Sequence, residues 1–233
     1  MTARERQRRV LAIPMKDLVN AKQRLVSALG AEERRALAAA MLEDVLAAVV
    51  GAKLDSVWIV TRDAEVTTIA RRFGAIVVAE AENRGHTAAV ADAQRRAHDE
   101  GVAVFATIPG DVPCVTAAEV DALVGAVPAT PGAALAPSRS GLGTNGVALA
   151  PPDALALRFG EPSFDAHLAG ARARGLAPCV VHLPGLALDV DGPDDLSALL
   201  AGGGATRSAR LVASWHRDAR CPSSDARHPS GRA

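Results

Sequence analysis

The sequence predicts an α/β fold with a mainly parallel central sheet flanked by helices. Short runs rich in β-branched residues alternate along the chain with alanine-rich segments whose apolar residues recur at helical spacing. Strands that alternate with helices in this way are joined by right-handed βαβ crossovers, which make neighbouring strands parallel. A chain of 233 residues, 49% of them hydrophobic, is long enough to bury one sizeable core.

The first half of the chain shows this alternation most regularly. Residues 10–14 read as a strand, and residues 31–50 as a helix with one apolar face. The same two element types then recur, with strands predicted at 57–61, 75–79 and 102–108, and helices at 64–74, 87–101 and 116–127.

The second half of the chain is less regular. Residues 130–145 contain one short apolar run and then a loop rich in Ser and Gly, which is either a substrate-binding segment or a solvated connection. The elements predicted after it are a strand at 146–150, a helix at 163–175 with Ser163 as its N-cap, strands at 179–183 and 186–190, and a short helix that begins at Pro193.

The chain divides into three parts by composition. Residues 1–9 form a basic N-terminal tail, and residues 10–201 form one folded domain. Residues 202–233 lose hydrophobic periodicity and are rich in Gly, Ser, Arg and Pro, which is typical of a flexible tail. Within that tail, residues 211–215 are the one segment apolar enough to dock against the domain.

Composition and charge exclude several classes of protein. The 26 basic and 26 acidic residues give a formal net charge of zero, so no global field draws the chain to nucleic acid or an anionic membrane. The N-terminus lacks the apolar core of a signal peptide, and no apolar run approaches the roughly 20 residues of a membrane helix. Cys114, Cys179 and Cys221 are odd in number and widely spaced, which favours a reducing cytoplasm. We expect a cytoplasmic protein without a nucleic-acid or membrane partner; its oligomeric state stays open, a homodimer included.

Polar residues follow several of the predicted strands. Ligands of open parallel sheets bind outside the carboxyl ends of the strands. The loop after the first strand contains Lys16, Lys22 and Arg24, three cations that together suit a polyphosphate. The alternative is a solvated basic loop.

Three aspartates follow two other strands. Asp111 follows the strand predicted at 102–108, where it can reach a metal ion or a substrate hydroxyl. The alternative is a turn residue that accepts hydrogen bonds from local backbone N–H groups. Strand alternation puts Asp189 and Asp191 on one side, where two carboxylates repel each other unless a cation lies between them. Mg²⁺ takes oxygen ligands and bridges carboxylates and phosphates. The alternative for Asp191 is the N-cap of the next helix. Together the acids and the basic loop predict a site for a metal-bound nucleoside triphosphate.

Six motifs between about residues 10 and 200 give the chain a specific resemblance. In order they are IPMKDLVNAKQRL, AAAMLEDVLAAV, IPGDVP, GTNGVALAPP, FGEPSF and LPGLALDVDGPDDL. With these motifs the chain resembles the CofC/FbiD family of guanylyltransferases in coenzyme F-420 biosynthesis. The resemblance implies a Rossmann-like nucleotidyltransferase fold related to GT-A glycosyltransferases for residues 10–201. It also implies transfer of GMP from GTP to 2-phospho-L-lactate, phosphoenolpyruvate or 3-phospho-D-glycerate, with release of pyrophosphate.

The resemblance also assigns site residues. Asp111, Asp189 and Asp191 match the metal-binding acids, so that Mg²⁺ would bridge the α-phosphate and the attacking oxygen. The positions that hold the acceptor are matched by Thr144, Asn145, Gly160 and Ser163. The three cations of the basic loop would stabilise charge on the departing pyrophosphate. An acceptor phosphate is mostly ionised at neutral pH, so the reaction requires neither a general base nor a covalent nucleophile.

One segment departs from the family pattern. Where the family commonly has Gly-Leu-Asn, this chain has Gly85, His86 and Thr87. Gly85 suits close approach of the backbone to the nucleotide, whereas His86 and Thr87 introduce different donors at a helix N-terminus. We hypothesise that this substrate-binding segment marks an acceptor other than phospholactate, such as 3-phospho-D-glycerate. The alternative is that His86 is a tolerated surface residue.

Two other classes of function share part of this pattern. Another nucleotidyltransferase or a GT-A-like glycosyltransferase would also use paired aspartates and a basic loop, but a glycosyltransferase releases a nucleoside diphosphate instead of pyrophosphate. A non-catalytic GTP-binding protein would bind GTP without forming a product.

Overall fold

The computed structural model describes residues 7–80, 82, 84–128, 130–202 and 204–218. The strands are β1 (Arg9–Pro14), β2 (Ser56–Thr61), β3 (Ile76–Ala79), β4 (Val104–Thr107), β5 (Gly132–Pro137), β6 (Thr144–Ala150) and β7 (Cys179–Val180). The α-helices are α1 (Ala31–Val49), α2 (Ala64–Arg72), α3 (His86–Asp99), α4 (Ala117–Gly125), α5 (Phe164–Ala173), α6 (Pro184–Ala187), α7 (Pro193–Gly202) and α8 (Arg207–Asp218). A 3-10 helix covers Gln23–Leu25.

The seven strands form one sheet in the order β3-β2-β1-β4-β6-β5-β7. Strand β1 pairs in parallel with β2 and β4, β2 with β3, and β5 with β7. Strand β6 runs antiparallel to both of its neighbours. The predicted mainly parallel sheet is therefore confirmed, and the loops after β1 and β4 leave the same edge of the sheet, where β6 begins.

Side chains of β1 alternate between the two faces of the sheet. Leu11 and Ile13 pack with Leu42 of α1 in one core cluster, whereas Val10 and Ala12 pack with α3 in another. All four β1 side chains are fully buried. Both faces are therefore covered by helices, as the run of apolar residues in this strand predicts.

The last helix corrects the expectation of a flexible tail after residue 201. Residues Arg207–Asp218 form α8, which packs against α1, and Val212 is only 1% exposed. Docking of residues 211–215 is thus observed, within a longer helix. The Asp44 carboxylate of α1 accepts hydrogen bonds from the backbone N–H groups of Arg207 (2.8 Å) and Ser208 (2.9 Å) and caps α8 from outside its own sequence. The tail residues 1–6 and 219–233 lie outside the described residues.

Two strand predictions near the C-terminus are wrong in extent or type. The strand predicted at 179–183 is limited to β7, and the one predicted at 186–190 does not form. Pro184 instead begins the single turn of α6, a position that suits proline because it needs no N–H donor there. Residues 188–190 then run past the turn after β4, where the Val190 N–H donates to the Asp111 carbonyl at 3.1 Å.

Residues 130–145, for which the sequence left two interpretations open, contain a strand and a loop. Their short apolar run forms β5, whose residues are all buried, and the Ser/Gly-rich loop connects β5 to β6. Among the residues described, Cys114 and Cys179 are free thiols; Cys221 lies outside them. No described helix has the length and apolar character needed to cross a membrane.

Candidate active site

A cavity of about 540 Å³ lies beyond the carboxyl end of β4 and the start of β6. The predicted site residues that line it are Arg24, His86, Asp111, Thr144, Asn145, Gly160, Ser163, Asp189 and Asp191. The predicted residues that are not part of its lining are Lys16, Lys22, Gly85 and Thr87. Most of the residues singled out in the sequence therefore converge on one cavity.

The Lys22 ammonium lies between two of the aspartates. Its Nζ donates to Asp111 Oδ2 and, at 2.8 Å, to Asp191 Oδ1, and the lysine side chain is only 7% exposed. Burial alone lowers the pKa of Lys22, but the Asp111 and Asp191 carboxylates outweigh it, so the pKa lies above its usual value. Arg24 Nη1 is 3.9 Å from Asp191 Oδ2 and lies in solvent.

The backbone directs Lys22 towards the aspartates. Lys22 has a φ of 56°, in the left-handed region, and is the one non-glycine residue with positive φ in the described part of the chain. The next turn ends at Leu25, which is fully buried in a third apolar cluster together with Val190. Packing of Leu25 thus fixes the loop beside the segment that contains Asp189 and Asp191.

The two carboxylate oxygens of Asp111 have different surroundings. Its Oδ1 is buried and has no hydrogen-bond partner among the described residues, which is unusual for a buried polar atom. The side chain therefore does not serve as the alternative turn residue, since its other oxygen bonds Lys22. Within the described residues no three acidic, His or Cys side chains are arranged as a metal-ligand group. A free oxygen beside two further carboxylates is nevertheless the donor type that Mg²⁺ prefers, so the residues fit this ion.

Asn145 holds the segment of residues 186–189, which contains Asp189, in place. Its Nδ2 lies 2.9 Å from Asp189 Oδ1 and within hydrogen-bonding distance of the Leu186 and Ala187 carbonyls, at 3.1 and 3.2 Å. Burial, with the Asp111 and Asp191 charges, raises the pKa of Asp189 despite the hydrogen bond from Asn145. The amide nitrogen of Asn145 therefore bonds only groups of residues 186–189 among the described residues.

Asp189 and Asp191 reach the cavity together although no strand forms there. Leu188 and Val190 are buried in the third apolar cluster, and the two aspartates between and after them line the cavity. The alternative role of Asp191 as a helix N-cap is not observed. Asp195 Oδ2 instead accepts from the N–H groups of Asp191 (3.1 Å) and Gly192 (2.8 Å).

Two hydroxyl groups of the cavity lining are hydrogen-bonded to each other, and one of them to a buried histidine. Ser163 occupies the N-cap position of α5, as predicted, but its side chain makes no cap and donates to Thr144 Oγ1 at 3.2 Å. Thr144 Oγ1 also lies 2.9 Å from His167 Nδ1, and His167 Nε2 accepts from the Arg158 N–H at 3.0 Å. Sequence analysis missed His167. The available signal is its spacing of four residues from Ser163, one turn along a predicted helix.

The segment Gly85–His86–Thr87, which differs from the family pattern, contacts the cavity residue Phe159. Gly85 has a φ of 95° directly before α3, a conformation that favours glycine. Thr87 Oγ1 accepts from the Phe159 N–H at 3.0 Å, and the His86 ring packs edge-on against the Phe159 ring with centroids 4.6 Å apart. Burial lowers the pKa of His86 to about 4, so the ring is neutral near pH 7. His86 is thus half-buried and not the surface residue of the alternative interpretation.

The structure separates the predicted cations into two places. Lys22 and Arg24 meet at Asp191, whereas exposed Lys16 lines a separate small cleft with Glu80 and His86. Because His86 borders both the cleft and the main cavity, Lys16 lies beside the site without joining the Lys22 cluster.

Comparison with solved structures identifies the fold. A protein of Desulfovibrio desulfuricans G20, assigned to the nucleotide-diphospho-sugar transferases, has a TM-score of 0.72 and 16% identity, covering 91% of this chain and 96% of that one. A nucleotidyl transferase from Methanothermobacter thermautotroptrophicus has a TM-score of 0.59 and 14% identity, covering 82% and 94%. At such identities the likeness shows the fold alone, and it confirms the predicted nucleotidyltransferase fold.

Comparison with sequences identifies the family. A phosphoenolpyruvate guanylyltransferase of Sphaerobacter thermophilus is 42% identical over 82% of this chain and 91% of its own. A 3-phospho-D-glycerate guanylyltransferase of Phenylobacterium zucineum is 33% identical over 83% and 90%. A 2-phospho-L-lactate guanylyltransferase of Methanothermobacter thermautotrophicus is 33% identical over 86% and 87%. The sequence model of the guanylyl transferase CofC-like family matches residues 9–226. Since that match spans nearly the whole chain and all the strands that build the site, the chain belongs to the CofC-like guanylyl transferase family.

Proposed function

We propose that this protein transfers GMP from GTP to a small phosphorylated acid and releases pyrophosphate. One observation carries the proposal: a single cavity contains both the acidic cluster of Asp111, Asp189 and Asp191 and the hydroxyls of Thr144 and Ser163. The acidic cluster with its cations suits a nucleoside triphosphate, and the hydroxyls suit the oxygens of a small acid. Both substrates of a nucleotidyl transfer therefore have a place within one site.

Phosphoenolpyruvate is the acceptor that we propose. Five relatives named for phosphoenolpyruvate are 38–42% identical to this chain, whereas three relatives named for the other two acids are 33% identical. The similarities therefore favour phosphoenolpyruvate over the 3-phospho-D-glycerate suggested by the altered segment. With this acceptor the product is a guanosine diphosphate-linked acid, the type of intermediate that coenzyme F-420 biosynthesis requires. We also propose that the enzyme acts in the cytoplasm, where its free thiols stay reduced.

Mg²⁺ is the metal that we propose for the acidic cluster. Asp111, Asp189 and Asp191 would hold it, and the unpaired Asp111 Oδ1 supports this choice. When bound, the ion supplies charge neutralisation and orientation to phosphate oxygens. Lys22 bonds two of the same carboxylates, those of Asp111 and Asp191.

The side chains of the chain then have separate tasks in the transfer. Lys22 and Arg24 stabilise negative charge that develops on the departing pyrophosphate, and Lys16 adds a positive field beside His86. The hydroxyls of Thr144 and Ser163 hold the acceptor so that a phosphate oxygen is directed at the nucleotide. That phosphate has a second pKa near 6, so it attacks already ionised and no residue has to remove a proton.

Pyrophosphate release tests the proposal directly. The full-length protein is mixed with GTP, Mg²⁺ and one of the three acids in turn, and the product mass is measured. We expect turnover with phosphoenolpyruvate above the other two acids, and none with CTP, ATP or UTP or after chelation by EDTA. GTP binding without pyrophosphate release for all three acids would contradict the proposal and favour a non-catalytic GTP-binding protein. Release of GDP from a GDP-sugar would favour a glycosyltransferase.

A further inference from the structure

The hydrogen bonds of His167 determine where its proton lies. The ring is 2% exposed, and its Nε2 receives the backbone N–H of Arg158 at 3.0 Å. A backbone amide can only donate, so Nε2 must present its lone pair. Burial lowers the pKa of His167, which keeps the imidazole neutral near pH 7. The single ring proton therefore resides on Nδ1.

The Nδ1 proton in turn fixes the direction of the Thr144 hydroxyl. Nδ1–H donates to Thr144 Oγ1 at 2.9 Å, and the Ser163 hydroxyl donates to the same oxygen at 3.2 Å. A hydroxyl oxygen has two lone pairs and one proton, so both acceptor positions of Thr144 are filled. No described residue accepts the remaining Thr144 proton, and Thr144 lines the cavity. That proton is available to a ligand.

We propose that His167 is a positioning residue that makes the Thr144 hydroxyl an obligatory hydrogen-bond donor to an anionic oxygen of the acceptor acid. The inference rests on the proposed function. A threonine hydroxyl ordinarily rotates to donate or accept, but here only donation remains. The site therefore favours a carboxylate or phosphate oxygen at this point and disfavours a ligand N–H or O–H group, which would find no acceptor.

The same histidine also holds the loop that contains Arg158 and Phe159. His167 accepts a hydrogen bond from the N–H of Arg158, the residue directly before Phe159 and Gly160, which line the cavity. The Phe159 ring also packs edge-on against the His167 ring, with centroids 5.4 Å apart. His167 thus joins the start of β6, the start of α5 and the loop before α5. One buried side chain therefore contacts both Thr144 and Phe159, which line the same cavity.

The first test measures the tautomer of His167 in the ligand-free protein. Long-range ¹H–¹⁵N correlation spectra of full-length protein labelled with ¹⁵N-histidine distinguish protonation at Nδ1 from protonation at Nε2, and the H167N variant assigns the signal. We expect a neutral ring with its proton on Nδ1 at pH 7. A proton on Nε2, or a doubly protonated ring, would overturn the inference.

The second test measures binding of phosphoenolpyruvate by calorimetry in the presence of α,β-methylene GTP, so that it does not depend on turnover. His167→Leu and Thr144→Val each remove the directed donor, and we expect affinity to fall about ten- to a hundredfold, as for loss of a hydrogen bond to a charged group. Affinity for the GTP analogue should change less than about threefold in both variants. Thr144→Ser keeps the hydroxyl, and His167→Asn keeps a donor near Nδ1; both should bind more tightly than the corresponding apolar variants.

The double variant His167→Leu/Thr144→Val separates positioning from structural support. If His167 acts through Thr144, the double variant binds phosphoenolpyruvate as weakly as Thr144→Val alone. Losses that add, or an equal loss of affinity for the GTP analogue, would show a merely structural role and overturn the inference. Failure of every acid to give pyrophosphate, with binding and tautomer as expected, would instead overturn the proposed transfer reaction and leave the role of His167 intact.

Discussion

The Lys22 ammonium lies 2.8 Å from Oδ1 of Asp191, a residue 169 positions further along the chain. The same ammonium bonds Asp111, so the loop after β1, the turn after β4 and the segment after α6 meet at one positive charge. These carboxylates are also the proposed ligands of Mg²⁺. The lysine therefore compensates charge at the place where the nucleotide and its ion are expected.

Replacing Lys22 with Met should improve metal binding and abolish transfer. Without the ammonium, Asp111 and Asp191 repel each other, which favours a divalent cation between them. We expect Mn²⁺ to bind more tightly than to the wild type in the absence of GTP, as measured by electron paramagnetic resonance, and kcat to fall by at least about a hundredfold. Arg24→Met, at an exposed cation, is the matched control and should leave Mn²⁺ binding nearly unchanged. Unaltered Mn²⁺ affinity in the Lys22 variant would show that the lysine does not compete with the ion.

Replacing Asp111 with Asn should remove turnover but keep the fold. The substitution preserves the shape of the side chain and deletes the charge that pairs with Lys22 and the proposed ion. We expect kcat with GTP and phosphoenolpyruvate to fall by at least about a hundredfold, with an unchanged circular dichroism spectrum. Asp99→Asn, at an exposed aspartate at the end of α3, provides the control. Substantial turnover in the Asp111 variant would exclude this carboxylate from the reaction.

Stability should depend on pH through His86. Its pKa is about 4 in the folded protein against an ordinary value of 6.5, so the unfolded chain binds more protons between these values. By linkage, this contribution to the free energy of unfolding is fully present above pH 6.5 and is lost as the pH falls towards 4. We expect a loss of between about 1 and 3 kcal/mol that is absent in His86→Leu. Urea titrations of both proteins between pH 7 and pH 4 give the difference. Parallel pH profiles would contradict the assigned pKa.

Exchanging His86 and Thr87 for Leu and Asn should change acceptor preference. The structure suggests that these residues act through Phe159, because Thr87 bonds its N–H and His86 packs on its ring. We expect the ratio of kcat/KM for the three acids to change while KM for GTP stays within about threefold. Turnover assays with each acid provide this ratio. An unchanged ratio would show that His86 and Thr87 do not determine acceptor specificity.

Removing the Asp44 carboxylate should weaken the docking of α8. Asp44 is 8% exposed and accepts from the Ser208 hydroxyl at 2.7 Å as well as from two backbone N–H groups of α8. Asp44→Ala leaves these donors unpaired, and we expect the free energy of unfolding in urea to fall by about 1–3 kcal/mol. Asp99→Ala is the matched control and should lie within about 0.5 kcal/mol of the wild type. An equally small effect in the Asp44 variant would contradict the capping role.

Particular residues show how far the sequence predicts this fold. The strand 10–14 and the helix 31–50 were predicted within one residue of β1 and α1, because apolar periodicity and helix propensity are properties of contiguous residues. The prediction of a strand at 186–190 failed because a strand also needs a partner. Residues 188–190 pass beside the turn at Asp111, and Pro184 favours a helical turn before them.

The candidate site shows the same division between pattern and packing. Alternation placed Asp189 and Asp191 on one side, and they do line the cavity together, because burial of Leu188 and Val190 preserves the alternation without a strand. The three basic residues of one loop looked equivalent in the sequence, yet only Lys22 is held between carboxylates. His167 lies in an ordinary helical pattern and acquires its role from Thr144, which lies on strand β6.

The sequence by itself determined the alternation of elements, the family and most of the residues that line the cavity, since periodicity and motifs are encoded in neighbouring positions. The tertiary structure alone decided three pairings: Lys22 with Asp191, His167 with Thr144, and Asp44 with Ser208. Each joins residues on different segments of the chain, separated by 169, 23 and 164 positions. Side-chain hydrogen bonds act over about 3 Å, so their partners are fixed only when the sheet order and the helix packing bring distant segments together.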